Sequence, residues 1–364
     1  MTQNIQFDFS ANPSGLLGVD DHSLYDTRMK VARLGHELGY QAVWVAEHHF
    51  TNYYATPSPL MALAQIAGEC PGIGLGTCVL VLPWYQPLRL ASDIAMLSNM
   101  TDGHLYMGVG RGTAPMEHEA YGVPMEDAQG WFDDALAIMR KALDGGRFTY
   151  QGKHWSVERE VELRPRPRKD NITLYGPYAN PSSARKYAEM GLPVLNAGYP
   201  EAAAQAANIK EWEKVTAEIG GDLSADRINW VPTLIAETDE EAFALARETM
   251  SRFFELQSSH YTVDSTRFEN IKGYESWGAL FANLKSLSDP EVLDGVMDFL
   301  FVGSPSTVIE KIERHIEMGY NHFAVHADLY GLPFERIEQS MTMFAKEIAP
   351  HFSTGFGEKK QAAE

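Results

Sequence analysis

Cysteine is nearly absent: Cys70 and Cys78 are the only two in 364 residues. Two thiols cannot complete a structural zinc site alone, and a disulfide framework needs many more. Cations are short as well. Thirty Lys and Arg against 49 Asp and Glu leave a formal charge of −19. That deficit argues against a general binder of nucleic acid or anionic membrane, because neutralising phosphates takes clustered cations. A local basic pocket for one phosphorylated cofactor stays open. No apolar run reaches the roughly 18 residues of a membrane-spanning helix. The opening MTQNIQFDFS lacks the basic-then-apolar order of a secretory signal. The expectation is a soluble cytoplasmic protein.

What the chain does have is alternation. Short apolar runs that read as strands occupy 5–9, 42–46, 73–79, 105–109, 172–175, 193–196, 228–235 and 323–326. Helical patterns lie between them at 25–38, 59–69, 88–99, 130–143, 182–190, 201–219 and 240–256, and 306–318 and 333–348 close the chain. Several end in Gly followed by an apolar residue, as at Gly39-Tyr40, Gly191-Leu192 and Gly319-Tyr320. Gly supplies the left-handed cap after a last helical turn. Strand–helix alternation repeated eight times predicts parallel strands with helical crossovers. A doubly wound open sheet would carry a glycine-rich turn after its first strand, whereas here that strand runs into Ser10-Ala11-Asn12-Pro13. The expected fold is a single (β/α)8 TIM barrel with insertions, over residues 1–350, and a flexible tail over 351–364.

Three stretches interrupt the alternation. Residues 111–128 lack clear periodicity, and 147–157 read as a hairpin followed by the stiff Arg164-Pro165-Arg166-Pro167. Residues 258–298 are too long for a simple connector and read as a mobile lid over the active site.

Barrel enzymes keep their chemistry at the C-terminal ends of the strands. The second strand ends in Glu47-His48-His49, a carboxylate beside two imidazoles. Neighbouring residues of an extended strand face opposite ways, so His48 and His49 do not share one metal ion easily. One functional and one structural histidine is the expectation, with no metal. The fourth strand ends in Gly108-Val109-Gly110-Arg111-Gly112. Its glycines allow a ligand or another backbone to approach closely, and Arg111 can grip a phosphate. After the fifth strand comes Gly176-Pro177-Tyr178-Ala179-Asn180-Pro181-Ser182-Ser183. Its Asn and Ser are helix caps first, and the same helix start offers free N–H groups and hydroxyls to a phosphate.

Ala46-Glu47-His48-His49-Phe50-Thr51, the run from Gly76 to Pro83, Gly108–Gly112 and Val302-Gly303-Ser304-Pro305 together resemble the bacterial luciferase-like flavin monooxygenases, in that family's order. The resemblance implies reduced FMN supplied by a separate NAD(P)H:flavin reductase. It further implies oxygen activation through a flavin hydroperoxide, a small apolar organic substrate (aldehyde, ketone or heterocycle) and a homodimer joined through the second and third helices. By the same resemblance His48 is the catalytic histidine, Glu47 the carboxylate beside it, expected to orient or charge its ring, and Glu117 a further acidic residue near the oxygen chemistry. Arg111, Asn180 and Ser183 match phosphate-side positions, and Tyr178 and Ser182 in the same turn are counted with the cofactor site. Cys78-Val79 falls where the family carries a non-proline cis peptide beneath the flavin ring. Gly110 replaces a reactive cysteine and Ala179 a glutamate of the light-emitting members. Two other readings compete: a deazaflavin-dependent oxidoreductase, and a non-catalytic flavin-binding subunit.

Overall fold

A computed structural model describes residues 4–12, 14, 19–196, 202–261, 268, 271, 274, 289–328, 331–354, 356 and 357 of the chain. The elements run β1 (Gln6–Ser10), α1 (Asp21–Leu38), β2 (Ala42–Val45), α2 (Pro59–Glu69), β3 (Gly74–Val81), α3 (Pro87–Met100) and β4 (Leu105–Gly110). Then come α4 (Pro115–Tyr121), α5 (Ala128–Asp144), the hairpin β5 (Phe148–Gln151) and β6 (Ser156–Val161), β7 (Ile172–Pro177), α6 (Pro181–Glu189) and β8 (Val194–Asn196). The last part carries α7 (Ala202–Glu218), β9 (Arg227–Ile235), α8 (Asp239–His260), α9 (Pro290–Met297), β10 (Phe301–Gly303), α10 (Pro305–Glu317), β11 (His322–His326) and α11 (Phe334–Met343).

Eight strands close a parallel ring: β1 pairs with β2, β2 with β3, β3 with β4, β4 with β7, β7 with β8, β8 with β9, β9 with β11, and β11 with β1. The expected (β/α)8 barrel is present, strand for strand. Three elements escaped the sequence reading for the same reason, shortness: β10, α4 and the eight-residue α9, which falls in the stretch read as a lid. β10 has three residues and pairs with the far end of β9, Phe301 opposite Thr233. α4 has seven, and among the residues it buries are Glu117 and His118, so no apolar stripe announces it.

The strand pattern divides the core in two. On β1, Phe7 and Phe9 turn outward to the helices: Phe7 meets Phe344 edge-on at 5.2 Å, and Phe9 fills the space over Gly35 of α1, where a Cβ would come within 2.3 Å of its ring. Asp8, between them, faces inward and accepts hydrogen bonds from the Trp44 indole at 2.7 Å and from the His322 ring at 2.6 Å. The inside of the barrel is therefore packed with a polar and aromatic layer at its N-terminal end. The outward side of β1 is covered as well. Phe352 and Phe356 pack on Phe7, and Phe352 O accepts from the Ile5 amide at 3.1 Å. The first part of the segment expected to be a loose tail is thus docked, because its two phenylalanines cover the aromatic cluster of β1. The chain beyond Gly357 lies outside the described residues.

Among the described residues, no helix is long and apolar enough to cross a membrane.

Candidate active site

The strand end after β2 separates its three polar residues by direction. Glu47 and His49, two apart, point the same way. The His49 Nε2 lies 3.1 Å from Glu47 Oε1, the other Glu47 oxygen accepts from the Val81 amide at 3.0 Å, and the Tyr121 hydroxyl meets His49 Nδ1 at 2.8 Å. Burial pushes the Glu47 carboxyl up, against the hydrogen bonds from His49 and Val81. This arm joins β2 to β3 and α4. Phe50 then takes a left-handed φ of 65°, a conformation uncommon for a non-glycine residue, and reverses the chain.

His48 points the other way, so Glu47 does not orient its ring as expected; Glu47 pairs with His49, and the carboxylate facing His48 is Glu117. The His48 Nδ1 lies 3.5 Å from Oε1 of Glu117 on α4, and Nε2 of His260, at the end of α8, lies 3.4 Å from the same oxygen. That oxygen also accepts the His49 backbone N–H at 2.7 Å, and His260 Nδ1 meets the Thr51 hydroxyl at 2.6 Å. Burial would raise the Glu117 carboxyl, but the facing His260 and His48 rings overcome it and hold it at about 2. Burial, with His260 beside it, lowers His48 to about 4, so its imidazole is neutral at neutral pH. A neutral ring that turns Nδ1–H toward an ionised carboxylate leaves Nε2 as an acceptor.

Thr51 and His260 were missed from the sequence. The helical pattern read over 240–256 continues to His260, and the signal was there: Phe253, Gln257 and His260 recur at helical spacing. Gln257 and His260, polar residues on the stripe that Phe253 shares, face this site, so the apolar stripe ends before the helix does.

On β3 the Cys78–Val79 peptide is cis, as the resemblance implied. It coincides with a bulge, since the register with β4 shifts between Thr77 and Leu80. The alternating glycines of β4 make room for it: a Cβ on Gly108 would lie 2.3 Å from the Thr77 carbonyl oxygen, and one on Gly110 would lie 2.6 Å from Val79 Cγ2. The close approach these glycines permit is from the chain's own backbone and Val79. Gly112, at φ +81°, starts the turn into α4.

Arg111 follows directly. Its guanidinium lies 3.9 Å from the centre of the Tyr274 ring, and Nη1 donates to Gln129 at 3.4 Å. The Tyr274 hydroxyl donates to the Gly112 carbonyl at 2.9 Å. Tyr274, Phe268 and Ile271, the described positions in the middle of segment 258–298, are all buried, and the segment's ends are the last turn of α8 and the helix Pro290–Met297. Lys272, Gly273 and Tyr199 lie outside the described residues.

The start of α6 has its own internal bonding. Asn180 and Ser183 form a reciprocal capping box, with the Ser183 amide donating to Asn180 Oδ1 at 2.9 Å and the Asn180 amide donating to Ser183 Oγ at 3.1 Å. Ser182 is exposed. Tyr178 is buried, and its hydroxyl donates to that of Tyr320 at 2.8 Å, so this ring belongs to the wall between β7 and the α10–β11 turn. A guanidinium, the exposed Ser182 hydroxyl and a helix N-terminus suit a phosphate monoester such as that of FMN.

Beside His48 the mouth is aromatic: Tyr53 at 4.8 Å, Tyr54 at 5.7 Å and Tyr261 at 5.9 Å between ring centres. Trp230 and Phe253 continue it through His326. His326 lies 3.3 Å from Asp328, and Ser10 donates to that carboxylate at 2.9 Å. Burial lowers His326 to about 3 and raises Asp328 to about 7.

The family model for luciferase-like monooxygenases matches residues 15–322. The oxygenase component of a flavin-dependent trigonelline monooxygenase from Acinetobacter baylyi is 24% identical over 93% of both chains. The oxygenating constituent of 3,6-diketocamphane monooxygenase from Pseudomonas putida, solved with FMN, superposes with a TM-score of 0.74 at 22% identity, over 95% of this chain and 98% of that one. An F420-dependent secondary alcohol dehydrogenase superposes at 0.72 and 16% identity, over 95% and 98%. With the barrel, the strand-end histidine and the family match over most of its length, this chain belongs to the luciferase-like monooxygenase family.

Proposed function

We propose that the chain is the oxygenase component of a two-component system, taking reduced FMN from a separate NAD(P)H:flavin reductase and inserting oxygen into a small, largely apolar organic molecule. The observation that carries the reading is His48, oriented by Glu117 through Nδ1, at the mouth of a barrel whose rim also holds Arg111. Bound reduced flavin supplies the reaction with molecular oxygen. The chain's own part is to bind, orient and exclude water. Arg111 and the start of α6, with the Ser182 and Ser183 hydroxyls and the Asn180 amide, hold the phosphate end. Cys78 and Val79, at the bulge of β3, would hold the ring system. His48 Nε2 accepts a proton from the reacting oxygen species and returns it to product. Glu47 acts through His49 on the surrounding frame. Tyr53, Tyr54, Trp230 and Phe253 offer an apolar, aromatic lining to the substrate. Segment 258–298 covers the site during turnover and keeps water out; the buried Tyr274 against Arg111 supports that placement. The working form is a cytoplasmic homodimer.

A deazaflavin-dependent hydride transfer is the second reading, favoured by the F420-dependent neighbour of the same fold. One experiment separates them. The protein is given reduced FMN from a reductase, or reduced deazaflavin, together with a panel of ketones, aldehydes and heterocycles. Oxygen uptake and incorporation of labelled oxygen into product support the proposal. Turnover with deazaflavin and no oxygen uptake overturns it.

A further inference from the structure

We propose that His48, Glu117 and His260 form a binding site for a divalent transition-metal ion of the zinc type, and that its occupancy takes His48 out of acid–base service. One ligand atom from each residue lies within 4.8 Å of the others. The two edges to Glu117 Oε1 are 3.5 Å from His48 Nδ1 and 3.4 Å from His260 Nε2. A tetrahedral ion with bonds of about 2.1 Å holds its ligand atoms about 3.4 Å apart. Those edges are long for direct hydrogen bonds and suit a shared cation.

Burial adds to the spacing. His48 Nδ1 and His260 Nε2 are both buried and have no hydrogen-bond partner, although buried polar atoms are nearly always satisfied. Both aim at one carboxylate oxygen. The outer contacts match those of ligating groups as well: the far nitrogen of His260 is fixed by Thr51 Oγ1 at 2.6 Å, and the Glu117 oxygen is fixed by the His49 amide at 2.7 Å. The three ligands come from the β2 strand end, α4 and α8, so the barrel sets the spacing before any ion arrives. The His48 side chain is 15% exposed while Glu117 and His260 are closed off, leaving one side for entry and a fourth ligand. Two imidazole nitrogens and one carboxylate favour Zn2+, Co2+ or Ni2+ over the oxygen-seeking Mg2+ and Ca2+.

An ion on Nδ1 puts the His48 proton on Nε2, which then accepts nothing. Metal binding therefore inhibits; this consequence rests on the proposed function, whereas the binding itself does not. The test uses the full chain without flavin. Co2+ is titrated in and read by its visible d–d absorption, then displaced with Zn2+. The expected result is one equivalent with the intense bands of four-coordinate cobalt, lost in Glu117→Gln and His260→Asn and weakened about tenfold in Thr51→Val. Circular dichroism establishes that each variant is folded, and Thr51→Val serves alone where the others are not. No cobalt spectrum, or one that these substitutions leave unchanged, overturns the site. Intact cobalt binding in a protein that turns over no flavin overturns the oxygenase reading and leaves the metal site standing.

Discussion

Gly110 and Val79 are packed so closely across the β3–β4 pair that a Cβ on Gly110 would lie 2.6 Å from Val79 Cγ2. Val79 is β-branched and cannot swing aside cheaply. Gly110→Ala is expected to cost about 1–3 kcal/mol by overpacking and to displace the bulge that carries Cys78 and Val79. Chemical denaturation reads the first effect. Weakened FMN binding, measured by quenching of flavin fluorescence, reads the second. Unchanged affinity would remove Val79 from the flavin site.

Arg111 is proposed to hold the phosphate end of the flavin. Arg111→Ala is expected to weaken FMN by a charge-assisted contact, about 1.5–3 kcal/mol, and riboflavin far less. Equal losses for the two flavins would show that the guanidinium does not reach the phosphate.

The two adjacent histidines divide their roles. His48→Asn should keep flavin binding and lower product formation by about 10²–10⁴-fold. His49→Asn breaks the link from Glu47 to Tyr121 and is expected to lower stability by about 1–3 kcal/mol. A fully active His48→Asn protein would end the assignment.

His322 gives the fold an alkaline limit. Burial works against its charge, but Asp8 and then Asp226 raise it to about 9 from 6.5. Its stabilisation is complete below pH 6.5, the unfolded value, and fades as pH climbs through about 9. The loss should reach on the order of 3 kcal/mol. His322→Asn is expected to be less stable at neutral pH and to lack this component of the pH dependence, as urea midpoints at several pH values for the two proteins would record.

Met61 on α2 is 74% exposed, and Met96 and Met100 on α3 are 51% and 53% exposed. These residues offer the proposed dimer an apolar contact. Met61→Glu with Met100→Glu should give monomers in sedimentation velocity, and a monomeric parent protein would dispose of the interface.

The sequence by itself determined the barrel. Eight apolar runs separated by amphipathic helices leave parallel strands with helical crossovers as the economical way to bury both sets. Chemistry-bearing residues at strand ends then fall on one rim, which is why Glu47, His48 and Arg111 were legible. Alternation within a strand also separated His48 from His49. What only the tertiary structure decided is which distant groups meet them. Glu117 sits on a seven-residue helix with no apolar stripe, and His260 on a helical turn that faces a polar site, so hydrophobic periodicity is silent at both. Thr51 gains its meaning only once His260, 209 residues away, is placed against it. Local pattern reports what a residue turns toward the core; the partners of a buried polar group are set by closure of the ring, which brings strand and helix ends together across the whole chain.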